Sequence, residues 1–449
     1  MLCARMLFLM STQARHSRDC LILFGRYPVP GKTKTRLIPV LGPAGAAELQ
    51  RNITEKTFKT AHAFASRFRV DLQFCYDGGS EKQMRRWLGP YVLFSKQRPG
   101  NLGERMGTAF HDAFRNGYGR VVLVGTDVPD MTDRHLETAF DALGERDLVL
   151  GPSADGGYWL VGLKGPKPIF ENISWGTEEV FAETLSASRG RGLSIYCLDA
   201  LRDIDTEGDL EQRFKGWAKP YLSIIIPALN EAGTIEAAIH RAWTDDAEII
   251  VADGGSTDET AARAARAGAR ILNSPRGRAL QQNRGAAAAE GRVLLFLHAD
   301  THLPENYVSH VFETFMDPGV VLGAFRFRTD LDRPSMRLME TATNLRSRML
   351  QLPYGDQALF TRKEIFRASG GFPEVPIAED FFFVRHLSKR GRIVVAPAEA
   401  VTSARRWKSR GMLRTFWINQ IVLFGLTLRI PPDVLATLYR RPENAAQPR

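Results

Sequence analysis

An apolar segment in the second half of the sequence ends directly on two residues that could bind a metal ion. The run VLLFL at 293–297 is followed by His298, Ala299 and Asp300, so His298 and Asp300 occupy alternate positions at the end of a strand. A carboxylate in that place could hold a divalent cation against the phosphates of a substrate. The spacing therefore predicts a cation site at Asp300, with His298 as a second potential ligand.

Other segments of the same half have the features of a nucleotide-binding edge. In SIIIPALNEAGTIEAAI and EIIVADGGSTDET a strand gives way to a helix through a polar turn, whose free N–H groups and side chains can bind a nucleotide. Asp253 could accept hydrogen bonds from a base or ribose. Two arginines on the next loop suit a diphosphate, although a solvated basic helix explains them equally well. The candidate nucleotide-sugar ligands are Pro227, Ala228, Asn230, Glu231, Asp253, Arg276, Arg278 and Asp300.

The first half carries a basic loop after its first apolar segment. LILFGRYPVPGKTKTRL places Gly31, Lys32, Lys34 and Arg36 just beyond a strand, where they could cradle an anion. The GxxxxGK[ST] spacing is absent from this loop, which argues against a P-loop ATPase. We interpret it as a phosphate-binding loop, with an ordinary surface loop as the alternative.

Strands and helices must bring these turns together. Apolar, β-rich runs recur at 21–25, 121–127, 222–230, 248–255 and 293–300, with helical stretches between them. This alternation predicts an α/β fold of two tandem, Rossmann-like, doubly wound domains, with mostly parallel sheets and ligands at the carboxyl ends of the strands. The predicted division is a disordered leader at 1–19, domains at 20–217 and 218–432, and a flexible tail at 433–449.

Composition narrows the class of protein. The 449 residues are 44% hydrophobic and 24% charged, as in soluble proteins, and the net charge of +10 favours anionic ligands of any kind. No basic stretch is interleaved with stacking aromatic residues and no zinc-finger pattern occurs, so nucleic acid is not the expected partner. The four cysteines are far apart in the sequence, which argues against a zinc site or disulfides and favours the cytoplasm.

An apolar run near the C-terminus, TFWINQIVLFGLTLRIPP, is interrupted by Asn419 and Gln420 and is too short to span a membrane. We interpret it as a buried helix. The alternative is an interfacial helix, flanked by basic residues, that contacts the inner face of the membrane.

The motifs of the second half, taken in order, resemble those of the family 2 glycosyltransferases of the GT-A fold. The resemblance covers about residues 221–430 and rests on PALNE, DGGSTD, the strand-end DxD-type segment and IAEDFFF. His298 departs from the family, which usually has aspartate there, and imidazole suits a hard cation less well than a carboxylate does.

This resemblance implies roles for particular residues. Asp253 would contact the nucleoside, and Asp300 would coordinate Mg²⁺ or Mn²⁺. Glu379 and Asp380 would supply the general base, with Asp380 as the proton acceptor. A base opposite the leaving group implies a single in-line displacement, which inverts the anomeric carbon.

The acceptor side is assigned to GAFRFRTD and LPYGDQALFTRKEIF. Asp356 and Gln357 follow Gly355 and could bind a polar substrate, or could simply form a turn. Trp407 could stack on a sugar or could pack on the C-terminal apolar run.

In the first half, NLGERMGTAF, VVLVGTDVPDMT, LVLGPSADGGYWLVGL and SWGTEEVF resemble a GT-A-like family related to cofactor nucleotidyltransferases. This family is labelled transferase 1 of a radical-SAM and selenodomain-associated pair, and the second half resembles transferase 2, which is linked to arsenosugar-type biosynthesis. The resemblance implies that Asp127 is a metal ligand, that Asp155 and Gly156 close on a nucleotide, and that Lys32, Lys34 and Arg36 bind phosphates.

The sequence therefore predicts a metal-dependent, hexosyltransferase-like enzyme that moves a sugar from a nucleotide-diphosphate sugar to a small-molecule or lipid acceptor. One alternative is a bifunctional nucleotidyltransferase and glycosyltransferase, which pyrophosphate release by residues 1–217 would reveal. Another is an inactive nucleotide-binding regulatory protein, which would bind nucleotide without depending on metal.

Overall fold

The protein divides into two compact units. A computed structural model describes residues 18–213, 217, 220–405, 418, 421–422, 425–426, 428 and 430–440. Unit 1 comprises Met1–Leu37 and Ala46–Gly216, and unit 2 comprises Ile38–Gly45 and Trp217–Arg449. The leader predicted at 1–19 lies almost entirely outside the described residues, and the sequence-based domain limits stay predictions.

Unit 1 is built on a seven-stranded sheet. Its strands are β1 (Arg18–Arg26), β2 (Asp71–Asp77), β3 (Leu93–Lys96), β4 (Tyr118–Gly125), β5 (Leu148–Pro152), β6 (Tyr158–Lys164) and β7 (Ile195–Cys197). They are ordered β3-β2-β1-β4-β6-β5-β7. Strand β6 is antiparallel to both of its neighbours, and the other pairs are parallel.

Helices connect these strands. They are α1 (Ile38–Phe68), α2 (Glu81–Leu88), α3 (Leu102–Arg115), α4 (Asp133–Glu145), α5 (Val180–Gly190) and α6 (Glu207–Arg213). Helices α2 and α3 begin with capping boxes, in which Ser80 pairs with Gln83 and Asn101 with Glu104.

Unit 2 is built on an eight-stranded sheet. Its strands are β8 (Leu222–Ala228), β9 (Ala247–Asp253), β10 (Arg270–Asn273), β11 (Val293–Phe296), β12 (Thr301–His302), β13 (Val320–Thr329), β14 (Phe360–Arg362) and β15 (Arg392–Thr402). They are ordered β10-β9-β8-β11-β14-β13-β15-β12. The first four strands are parallel, and β14 is antiparallel to both of its neighbours.

The helices of unit 2 are α7 (Ile235–Ala242), α8 (Thr260–Arg266), α9 (Arg278–Ala288), α10 (Tyr307–Phe315), α11 (Pro334–Met349), α12 (Lys363–Ser369), α13 (Glu379–Leu387) and α14 (Pro432–Arg440). Helix α14 occupies residues that the sequence analysis assigned to a flexible tail, because Leu435 is buried in a cluster with Phe381. None of the described helices combines the length and apolar character needed to cross a bilayer.

The central strands of unit 2 are apolar because helices cover both faces of the sheet. Ile224, Ile225 and Ile226 of β8 are fully buried. On one face, Phe296 of β11 packs with aromatic side chains from later in the chain, including Phe372 at a centroid distance of 4.8 Å. The predicted fold class, α/β with two mixed and mostly parallel sheets, is confirmed.

Candidate active site

The first two polar turns of unit 2 lie side by side. Ala228, the last residue of β8, is the register partner of Asp253, the last residue of β9. The Asn230 side chain accepts a hydrogen bond from Thr257 N at 2.9 Å, and Asn230 N donates to Ser256 Oγ at 2.9 Å. The structure thus brings together PALNE and DGGSTD, because parallel strands end at the same edge of a sheet.

Asp253 shapes its own turn. Its side chain is nearly buried, and its carboxylate accepts hydrogen bonds from Gly255 N and from both Ser256 N and Ser256 Oγ. A carboxylate has about four acceptor positions, so one remains for a ligand. The nucleoside contact predicted for Asp253 would therefore have to use the acceptor position that these three hydrogen bonds leave open.

Gln281 on α9 was not singled out from the sequence, although it ties the two turns together. Its buried amide donates to the carbonyl oxygens of Ala228 and Ala252, both at 2.8 Å. Pro227 of β8 is in register with Ala252 of β9. The carbonyl oxygen of Ala228 is therefore occupied within the protein. Pro227 and Ala228 contribute to the site through the conformation of the backbone at the end of β8.

Asp300 follows β11 and lies next to a cation of the protein itself. Its Oδ2 is 3.8 Å from Nη2 of Arg405, and 23% of its side chain is exposed. The same Nη2 donates to both carboxylate oxygens of Glu231, at 2.8 and 3.0 Å. Arg405 thus connects the predicted cation ligand with the PALNE turn. Sequence analysis gave it no such role, since it comes from the far end of the unit.

His298 and Asp380 meet at one glycine. A methyl group built on Gly355 would lie 2.9 Å from His298 Nε2 and 3.2 Å from Asp380 Oδ2, so only glycine fits there without displacing one of them. Gly355 N donates to Asp380 Oδ2 at 2.7 Å, and Phe381 N donates to Asp380 Oδ1 at 2.8 Å. These bonds orient the carboxylate at the start of α13.

Glu379, next to Asp380, faces the interior. Its side chain is 6% exposed, and Oε1 lies 3.6 Å from Nη1 of Arg278. Burial raises the pKa of Glu379, and Asp380 adds to the rise while Arg278 opposes it. Arg278 is thereby engaged by a carboxylate, whereas Arg276 is exposed on the loop before α9.

The three predicted acceptor residues have different surroundings. Asp356 is half-buried in the turn after Gly355. Gln357 is fully buried, where its amide donates to Phe325 O and its Oε1 accepts from Ser347 Oγ. We therefore assign Gln357 to holding the turn and leave it out of acceptor binding. Trp407 lies outside the described residues.

The donor set around Asp300 can be compared with the needs of Mg²⁺ or Mn²⁺. No group of three or more His, Cys, Asp or Glu side chains in the described part of the chain is arranged to hold a metal ion. A cation bound together with phosphates, however, needs only one or two carboxylates, because phosphates and water complete its shell. The partly exposed carboxylate of Asp300 fits this shared mode of binding.

In unit 1 the basic loop is turned toward carboxylates. Lys34 Nζ lies 2.8 Å from Asp205 Oδ1 and 3.7 Å from Asp127 Oδ2, with only 4% of the side chain exposed. Burial alone lowers the pKa of Lys34, but Asp127 and Asp205 outweigh it and the net shift is upward. Asp127 also accepts from Gln50 Nε2 at 2.6 Å. The phosphate contact predicted for Lys34 would have to compete with these acids.

Other residues predicted in unit 1 are more open. Gly31 and Lys32 are exposed, and Arg36 is exposed with Nη1 3.9 Å from Asp205 Oδ2. Asp155 is exposed and accepts from Gly157 N at 3.1 Å. Gly156 has a φ of +87°, and a side chain there would meet the backbone of Glu178, so its role is in the turn itself.

Asp203 and Asp205, which the sequence analysis missed, complete this group of acids. Burial raises the pKa of Asp203 to about 6, with Asp155 and Asp205 adding to the rise and Lys34 opposing it. Both residues stand shortly before the predicted domain limit at 217, in a segment to which no role was assigned. The alternation of acids in DIDT was the signal available.

The substitution Asp203→Asn should stabilise unit 1 at neutral pH. The pKa of Asp203 in the folded protein lies above the ordinary 3.8, so ionisation above pH 6 costs stability that is retained below pH 4. We expect a gain of roughly 1 kcal/mol, or a few degrees in Tm, after allowing for solvent screening.

Calorimetry in EDTA at pH 4 and pH 7.5 measures this effect. The gain should appear at pH 7.5 and vanish at pH 4. Asp199→Asn, which changes an exposed acid nearby in the sequence, should leave Tm unchanged at both values. A lower Tm of Asp203→Asn at pH 7.5 would contradict the proposed charge balance.

Two family models match this chain. Residues 60–177 match the family described as uncharacterized protein conserved in bacteria (DUF2064). Residues 223–372 match glycosyl transferase family 2. The second match contains both polar turns, His298, Asp300 and Gly355.

The chain is also similar to individual proteins. A nucleotide-diphospho-sugar transferase of Desulfovibrio desulfuricans G20 is 36% identical, with 44% of this chain and 87% of that chain covered at a TM-score of 0.42. A PGL/p-HBAD biosynthesis glycosyltransferase of Mycobacterium bovis is 41% identical over 98 residues, which are 20% of this chain and 38% of the relative. The glucosyl-3-phosphoglycerate synthase of Mycobacterium tuberculosis, solved with Mn²⁺, UDP and phosphoglyceric acid, is 22% identical, with 43% of this chain and 74% of that chain covered at a TM-score of 0.32.

The chain spans less than two fifths of the length of the curated relatives that it matches. What it shares with them is therefore a domain. The second half of the chain therefore contains a family 2 glycosyltransferase domain.

Proposed function

We propose that unit 2 is a metal-dependent, inverting glycosyltransferase that takes a hexosyl group from a nucleotide-diphosphate sugar. The observation that carries this proposal is the convergence at Gly355, which lies close to both Asp380 and His298; His298 follows β11 and is two residues from Asp300. This arrangement supports the assignment of Asp380 as proton acceptor and Asp300 as cation ligand, at the edge of the sheet where the two polar turns lie. The acceptor is a small molecule or a lipid.

In the proposed reaction, the hydroxyl oxygen of the acceptor attacks the anomeric carbon as the bond from that carbon to the phosphate oxygen breaks. The electron pair of the broken bond leaves with the nucleoside diphosphate, and the hydroxyl proton passes to a carboxylate oxygen of Asp380. Attack opposite the leaving group inverts the anomeric carbon. Hydrogen bonds from Gly355 N and Phe381 N keep the Asp380 carboxylate in one orientation. The proposed base is therefore held in place before the acceptor binds.

Asp300 would hold Mg²⁺ or Mn²⁺ together with the donor phosphates, and His298 is a weaker candidate ligand. When bound, the cation offsets the negative charge that develops on the leaving diphosphate. The residues of the protein complete this charge balance. Arg405, which contacts Glu231 and Asp300, would supply a positive charge at the same edge. Arg276, exposed on the loop before α9, would supply a second one.

For unit 1 we propose a nucleotide-binding role with Asp127 as a cation ligand. The second candidate function, nucleotidyl transfer, is favoured by the presence of Asp203 and Asp205 near Asp127 around Lys34. A cytoplasmic location and a link to arsenosugar-type biosynthesis stay predictions from cysteine content and from the resemblance.

The full-length chain should release UDP or GDP from at least one sugar donor in the presence of Mn²⁺ or Mg²⁺. A panel of nucleotide-diphosphate sugars, assayed for nucleotide release with metal and with EDTA, tests this without knowledge of the acceptor, because glycosyltransferases slowly use water. Release that is equal in EDTA would overturn the metal dependence. Nucleotide binding without release from any donor, with acceptor extracts added, would favour the regulatory alternative.

A further inference from the structure

Helix α11 presents a row of apolar side chains to solvent. Leu338 is 72% exposed, Leu345 is 56% exposed and Met349 is 71% exposed, and Ala342 between them is also exposed. Leu350, just after the helix, is 63% exposed. We call Leu338, Ala342, Leu345 and Met349 the α11 stripe. Single exposed apolar residues are common, but four on one helix face form a patch that needs a partner.

The spacing of the α11 stripe places it on one face of the helix. Its members stand at i, i+4, i+7 and i+11, which lie within about 60° of one another at 3.6 residues per turn. The opposite face is buried and contains Met336, Glu340 and Ser347. The helix therefore carries its apolar row on the outer face, whereas polar Glu340 and Ser347 share the inner face with Met336.

Arginines border the α11 stripe. Arg346 and Arg348 lie about 80° to either side of it, and Arg333 stands just before the helix. The one acid within α11, Glu340, is buried and accepts hydrogen bonds from Arg337 and Thr329. Asp332 and Glu340 both pair with Arg337, and no ion pair found within the described ranges involves Arg333 or Arg348. The outer face thus combines apolar side chains with uncompensated positive charge.

These features favour one kind of partner. Arginines that flank an apolar stripe can reach lipid phosphates while the apolar side chains enter the acyl boundary. A second copy of the chain would bring the same arginines against each other. A stable protein interface also buries about 800 Å² on each partner, more than one row of four side chains supplies.

Helix α11 is tied to the acceptor side of the proposed active site through its inner face and one flank. Ser347 Oγ donates to Gln357 Oε1 at 2.7 Å, and the Arg346 guanidinium lies 4.0 Å from the centre of the Tyr354 ring. Tyr354 precedes Gly355, whose N–H bonds to Asp380. A surface bound by the α11 stripe would therefore lie across this one helix from the loop that reaches the candidate base.

We propose that the α11 stripe docks unit 2 on the surface of an anionic phospholipid bilayer. It follows, if the proposed glycosyltransferase function holds, that the acceptor hydroxyl is carried by a lipid in that surface. Docking itself depends only on the apolar and basic side chains of α11, so it can be tested without turnover.

The test is co-sedimentation of the full-length protein with vesicles of phosphatidylcholine, with and without roughly a third of phosphatidylglycerol. Wild type should bind the anionic vesicles and lose most of this binding at roughly 0.5 M NaCl. The variant Leu338→Gln/Leu345→Gln/Met349→Gln, which keeps good helix formers, should bind at least about 10-fold more weakly. The control Tyr91→Gln changes a side chain of unit 1 that is 91% exposed and should bind like wild type.

Thermal stabilisation by UDP or GDP with Mn²⁺ separates docking from donor binding. Loss of vesicle binding with unchanged Tm and unchanged nucleotide stabilisation supports the proposal. Equal vesicle binding by the triple variant overturns it, as does wild type that binds no vesicles. A wild-type dimer that the triple variant converts to monomer would assign the stripe to a second copy. Docking without any nucleotide stabilisation would leave the membrane contact standing and refute the proposed function.

Discussion

Asp380→Asn should lower turnover by roughly 10²-fold or more while leaving donor binding intact, because an amide cannot accept the proton of the attacking hydroxyl. The structure suggests that the variant will fold. The side-chain oxygen of asparagine can still accept the hydrogen bond that Gly355 N now donates to Asp380 Oδ2 at 2.7 Å, and only the bond from the neighbouring Phe381 N is lost. Nucleotide release from the best donor, together with donor-induced stabilisation, measures the two properties separately.

Glu379→Gln is the matched control for this result. Burial raises the pKa of Glu379, which favours its neutral form, and glutamine has nearly the same shape and hydrogen-bonding capacity as a neutral glutamate. We expect turnover to stay within about 10-fold of wild type. If Glu379→Gln abolished turnover and Asp380→Asn did not, the base would be Glu379.

The layout of unit 2 could be predicted because the relevant residues directly follow apolar strands. Strands that alternate with helices pair in parallel and end at one edge, so the positions of Asp253 and Asp300 in the sequence were enough to place them together. The same argument extends to Asn230 and Glu231. Local sequence patterns indicate where a parallel strand ends, and the parallel pairing of strands places those ends at the same edge of the sheet.

What could not be predicted is which hydrogen-bond or ion-pair partner each polar side chain takes within the folded protein. Gln357 follows a glycine in a turn, a pattern typical of surface residues, yet its amide is buried against Phe325 O. Lys34 lies in a loop typical of phosphate binding, yet it pairs with Asp205, which is 171 residues away. Such choices depend on segments that meet only in the folded chain, and no local periodicity reports them.

Arg405 is another residue whose contacts could not be predicted. In the structure it holds Glu231 in a bidentate ion pair and approaches Asp300. A guanidinium beside two carboxylates has the same sign of charge as a divalent cation at this edge, but half its magnitude. Donor and metal binding would therefore have to compete with, or displace, this contact, so the roles of Asp300 and Arg405 must be separated by experiment.

Asp300→Ala should abolish the part of nucleotide stabilisation that depends on metal. With a ligand at about 100 times its Kd, wild type should gain roughly 2.7 kcal/mol of stability with UDP or GDP and Mn²⁺, which corresponds to several degrees in Tm. In EDTA the gain should be much smaller. The variant should show the EDTA value in both conditions, because the carboxylate that would hold the cation is gone.

Two control variants test whether the effect of Asp300→Ala is specific to its carboxylate. Arg405→Gln removes the ion pair with Asp300 but keeps the carboxylate, so the difference between Mn²⁺ and EDTA should persist. Asp332→Ala removes an acid whose side chain is 93% exposed and should behave like wild type. If Asp300→Ala kept a metal-dependent gain, the cation would bind elsewhere. If Arg405→Gln lost it as well, Asp300 would act by positioning Arg405, and the charge on the leaving diphosphate would be met by a guanidinium.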